Sequence, residues 1–119
     1  MINDSNYGNC KISCFEIPHF EIGDVELNDN DILNSFDLDC SAIYMQGGCI
    51  YNGYLYIAQG YESAGFIYLN IIDLDEEKIE IRIDLLHLGY RWEPEGCFMY
   101  DGRLMVTAGT TIWEFKFVN

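Results

Sequence analysis

Basic side chains are scarce. The 119 residues carry 6 Lys and Arg against 20 Asp and Glu, for a formal net charge of −14. So acidic a chain meets phosphate backbones and anionic lipid with a repulsive field, which removes nucleic acid and membrane surfaces from the expected partners. There are only 2 prolines, and no apolar run approaches the length of a membrane span. The first residues, MINDSNYGNCKISCFEI, lack the basic start and apolar core of a signal peptide. The expected location is therefore cytoplasmic, or periplasmic or extracellular if a leader has been removed. The five cysteines, Cys10, Cys14, Cys40, Cys49 and Cys97, are odd in number and irregular in spacing. That excludes a disulfide framework and points to free, mostly buried thiols. A phosphate-cradling glycine loop, a nucleotide fingerprint and a basic aromatic platform are also missing.

What is present is core-forming and repetitive. Half of the residues are apolar, enough for one packed domain spanning 1–119. The stretch YNGYLYIAQG (Tyr51 to Gly60) returns 49 residues later as YDGRLMVTAG (Tyr100 to Gly109), and the match includes Gln46 with Glu95 and Gly47 with Gly96. It resumes between IYLNIIDL (Ile67 to Leu74) and IWEFKFVN (Ile112 to Asn119) if the first copy has a loop four residues longer, YESA. A period of this size is that of a four-stranded propeller blade.

Asn52-Gly53 and Asp101-Gly102 are two-residue hairpin signals, because both central residues of a type I′ turn need positive φ. The flanking runs are β-branched and aromatic. KIEIRID (Lys78 to Asp84) alternates isoleucine with charge, as a strand with one wet face does. The second copy has no such outer strand, and Lys11 to Ile17 is the expected substitute, from the same molecule or a neighbour. A short helix is expected near Asp31 to Phe36, capped by Asn28 or Asp29, with Ile32, Leu33 and Phe36 on one face. The expected fold is all-β: a strand and helix in 1–40, then two antiparallel propeller-like blades, one at about 41–85 and one at about 94–119, forming a partial β-propeller.

The order QGG, YNGYLYIAQG, IYLNIIDLD, then WEPEGCFMYDGRLMV and IWEFKF, resembles the C-terminal two blades of uncharacterised bacterial (Bacteroidetes-type) β-propeller proteins with an EPEG turn before an inner strand. The resemblance covers about Ser41 to the C-terminus. It implies a repeat type rather than an activity, and propellers have about four to eight blades where this chain has two.

The chemistry-bearing cluster is HLGYRWEPEG (His87 to Gly96), which would lead from one blade to the next on the face where propellers admit ligands. Gln46, Arg91, Trp92, Glu93 and Glu95 are the expected ligand-binding residues. Oxygens of Glu95 and Gln46 are candidate ligands for Ca²⁺, and a sugar beside Trp92 is the alternative. The competing expectation is structural, with Glu93 and Glu95 bonding turn amides and Pro94 fixing the shape.

DVELNDNDILNS (Asp24 to Ser35) mimics an EF-hand loop but has Asp29 where glycine is needed and Ser35 where glutamate is needed. Cys10, Cys14 and His19 lack a fourth zinc ligand, and no nucleophile accompanies His87. Three functions follow as expectations. The first is a non-catalytic binding or assembly module that self-associates or binds another protein or a carbohydrate. The second is an enzyme-like or sugar-binding propeller with a Ca²⁺ site, and the third a small acidic inhibitor of a basic protein.

Overall fold

The computed structural model describes residues 9–16 and 23–117. Among them the chain is all-β, built as three antiparallel sheets. The first pairs β1 (Asn9–Phe15) with β2 (Ile32–Ser41). The second is a meander of β3 (Met45–Tyr51), β4 (Tyr54–Tyr61), β5 (Phe66–Asp73) and β6 (Lys78–Asp84), in that order. The third holds β7 (Gly96–Tyr100), β8 (Arg103–Ala108) and β9 (Thr111–Phe115).

The two-residue turns form where the sequence signals them. Asn52 and Gly53 adopt φ of 50° and 80°, Asp101 and Gly102 φ of 51° and 71°. Tyr51 thereby pairs with Tyr54, and Tyr100 with Arg103. Positive φ at both central residues gives the turn the right-handed twist of the strands it joins.

The sheets stack with the second in the middle. One of its faces, through Ile67 and Leu69, packs on Leu104, Val106, Ala108 and Cys97 of the third sheet. Its other face, through Ile72, Leu55 and Ile57, packs on Cys10, Leu38, Ile12 and Phe36 of the first. β5 is thus buried on both sides, which explains its nearly unbroken apolar run. Each fully buried Leu or Ile contributes about 1.5–3 kcal/mol. The inner strands β3 and β7 touch through main chain: Gly47 N donates to Glu95 O at 3.2 Å. A Cβ at Gly47 would lie 2.9 Å from both that oxygen and Gly96 Cα, so glycine is what lets the strands meet.

Three expectations are corrected. The helix at Asp31 to Phe36 is a single 3-10 turn, Asp29–Asp31, after which the chain runs straight into β2. Asn28 does cap it, accepting from Asn30 N while Asp31 accepts from Asn28 N. The helix stops there because Phe36, Leu38 and Cys40 recur every second residue and pack together on the middle sheet, a period only a strand can satisfy. The segment expected to complete the third sheet pairs instead with β2, with Ile12 opposite Phe36 and Lys11 opposite Asp37. That register turns Cys10 and Ile12 toward the core beside Leu38 and Phe36. Ile17 lies outside the described residues. The repeat match is also offset by two residues. Ala58 pairs with Leu69 and Thr107 with Ile112, so the counterpart of Ile112 is Leu69 rather than Ile67.

Candidate functional site

The connection from β6 to β7 is tied down from both ends. Leu85 N donates to Ile67 O at 2.8 Å, Tyr90 N to Leu85 O at 2.9 Å, and His87 N to Asp84 Oδ1 at 3.0 Å. His87 serves this turn through its main chain, and its side chain is exposed. Pro94 is fully buried. Glu95 N donates to Thr107 O at 2.8 Å while Glu95 O accepts from Gly47. Residue 95 therefore joins β8 to β3 by backbone alone, with its side chain exposed.

The expected partnership of Gln46 with Glu95 falls instead on Glu93, whose Oε1 accepts from Gln46 Nε2 at 3.3 Å. Arg91 reaches Glu62 at 3.7 Å, with both side chains more than half exposed, a pair of little energetic weight. Trp92 is 45% exposed and lies against Trp113 with ring centroids 4.3 Å apart. Ca²⁺ takes six to eight oxygens. Gln46 and Glu93 bring one amide and one carboxylate together, and among the described residues no three His, Cys, Asp or Glu side chains converge. Of the zinc candidates, Cys10 is buried, Cys14 exposed, and His19 outside the described residues.

A buried polar chain escaped the sequence reading. Gln59, 3% exposed, donates through Nε2 to Ser41 O at 3.1 Å and Ile43 O at 2.9 Å. Its Oε1 accepts from Asn70 Nδ2 at 3.1 Å, and Asn70 Oδ1 accepts from Arg82 Nε at 2.8 Å. The guanidinium also covers the Tyr68 ring at 4.8 Å. This chain binds β6, β5 and β4 to the end of β2, and every amide in it finds a partner. The signal was a polar residue at mid-strand, Gln59 in YLYIAQG and Asn70 in YLNIID.

The inner strands also bring two thiols together. Cys49 Sγ lies 3.8 Å from Cys97 Sγ, which donates to Tyr56 O at 3.2 Å. Burial pushes Cys97 up to about 12 and raises Cys49 as well, so little thiolate exists at neutral pH for nucleophilic work.

The outer flank of the third sheet differs from the rest. Tyr90 is buried and meets Trp113 and Phe115 edge-on at 5.9 and 5.5 Å. Its hydroxyl and the Trp113 Nε1–H are buried with no hydrogen-bond partner among the described residues. Burial pushes Tyr90 up to about 12. Beside them a cleft of about 280 Å³ opens between β6 and β9, lined by Leu69, Ile83, Leu85, Leu88, Tyr90 and Phe115. Among the described residues no strand lies beyond β9.

Compared with known proteins, the chain matches no family model, no curated protein and no solved structure.

Proposed function

We propose that this chain is a non-catalytic binding module built from propeller-type repeats. The repeat reading is supported by the common order of β3-β4-β5 and β7-β8-β9, their matching turns, and the contact between the two inner strands. The observation that carries a binding role is the open edge of β9. Its counterpart β5 is covered by β6, whereas β9 presents main-chain donors and acceptors with no strand beside them among the described residues.

Assembly into a ring by stacking copies has less support. The outer face of the third sheet carries the Arg103–Glu114 ion pair at 3.5 Å, where the middle sheet has Tyr54 and Ile71. Covering it would desolvate both charges, although Phe98, Tyr100 and Ile112 keep part of that face apolar. A monomer that takes up its partner along one edge fits these faces best. Amide hydrogen exchange tests this reading. The amides of β9 that point away from β8 should exchange far faster than those of β5, and equal protection would mean the edge is already covered.

A carbohydrate site is the second reading, favoured by exposed Trp92 beside the Gln46–Glu93 pair. Quenching of tryptophan emission by a neutral oligosaccharide, abolished in Trp92→Ala, would support it.

A further inference from the structure

The open edge of β9 has a template inside the same molecule. On β5, the strand β6 sets Ile83 opposite Leu69, Arg82 opposite Asn70 and Ile81 opposite Ile71. Matching the sheets through β4 and β8 places Ile112, Trp113 and Glu114 where β5 has Leu69, Asn70 and Ile71. A strand laid on β9 as β6 lies on β5 would set an apolar side chain beside Ile112. It would bring the residue at the Arg82 position against the Trp113 ring and the one at the Ile81 position opposite Glu114. A cation suits the Arg82 position through the ring face, whereas Glu114 is already paired with Arg103.

Two features of this flank point to an absent polypeptide neighbour. Among the described residues Tyr90 Oη and Trp113 Nε1 are buried donors without acceptors, and each such group costs about 1–3 kcal/mol. An added strand brings main-chain carbonyls to this flank. The cleft between β6 and β9, mostly apolar but with Glu114 and Lys116 on its wall, is lined in part by Tyr90.

We propose that the β9 edge takes up an extended, basic segment of another protein, apolar at alternate positions, as the fourth strand of the third sheet. The proposal rests on the binding-module reading above and names its partner class. A second copy of this chain is the poorer occupant, because it would bring another −14 of charge to a surface that already repels it. A basic strand meets attraction from the molecule as a whole.

The test uses the intact chain and synthetic peptides as probes. One peptide has the sequence of Lys78 to Asp84, and a second carries Glu80→Lys and Asp84→Lys. Two further forms of the basic peptide are N-methylated on alternate residues, each form blocking the amides of one edge. Fluorescence anisotropy should show saturable binding, with the basic peptide at least about fivefold tighter at low salt. One methylated form should lose binding and the other keep it, since only one edge of an added strand pairs with β9. Tyr90→Phe, which removes only the hydroxyl, should weaken binding about threefold or more.

Equal binding by both methylated forms would overturn strand addition, as would binding by none of the peptides. Preference for the unsubstituted peptide, in which Lys78 and Arg82 balance Glu80 and Asp84, would overturn the basic partner. Light scattering that shows a dimer with β9 amides protected would overturn the foreign partner in favour of self-association. Fast exchange on β9 together with no peptide binding would sink this proposal and leave the module reading standing.

Discussion

At the scale of single residues, the polar chain through the middle sheet is the most sensitive part of the molecule. Asn70 is fully buried and links Gln59 to Arg82, so Asn70→Leu strands an acceptor on Gln59 without its donor and frees a guanidinium. A loss of about 1–3 kcal/mol is expected, measured by urea unfolding. Gln59→Leu should cost a similar amount, and the double variant less than the sum, because both substitutions break one network.

Titration acts at this scale too. Burial raises Cys97 from 9.0 and Tyr90 from 10.0, each to about 12. The native state then keeps protons that the unfolded chain releases, so these groups leave stability flat at neutral pH and erode it as pH climbs from about 9 toward 12. Thermal melts at about pH 8 and about pH 10.5 should show that fall, and Cys97→Ala should reduce its slope. A slope unchanged by the substitution would show that other groups govern alkaline unfolding.

At the scale of elements, the hairpins were legible because Asn-Gly and Asp-Gly carry their conformation locally. β2 was not. Ile32, Leu33 and Phe36 have the three-and-four spacing of a helix face, and an Asn-Asp cap stands just before them. Phe36, Leu38 and Cys40 fit a strand equally well, and what decides is the middle sheet on which they pack. The two-residue offset of β9 was hidden for a related reason: with a period of two, both alignments send the same side chains to the same face, and only the pairing of Thr107 with Ile112 separates them. Among the expected site residues Gln46, Arg91, Trp92, Glu93 and Glu95, the side chain of Gln46 reaches Glu93, while the main chain of Glu95 is held by β3 and β8.

The meeting of β3 and β7 gives a prediction of its own. Gly47→Ala places a methyl 2.9 Å from main-chain atoms that cannot swing aside. A loss of about 1–3 kcal/mol is expected. Gly65→Ala, which meets nothing within 4 Å but has a φ of 89°, separates backbone strain from crowding. Similar losses for both would argue against a tight inner-strand contact.

At the scale of the whole molecule, charge works against compactness. With a formal net charge of −14 and four ion pairs among the described residues, carboxylates far outnumber the cations that could balance them. Raising NaCl from about 0.05 to about 0.5 M should increase Tm by screening that repulsion. A Tm that falls with salt would mean the ion pairs outweigh it.

The contact between Trp92 and Trp113 reaches beyond packing. They are the only 2 tryptophans in the chain, one in the connection ahead of β7 and one on β9, with ring centroids 4.3 Å apart. Indoles this close couple their excited states, so far-ultraviolet circular dichroism should carry an exciton couplet from this one contact. That signal turns the flank of β9 into its own optical gauge: whatever docks there, or pulls the connection away, is read without attaching a label.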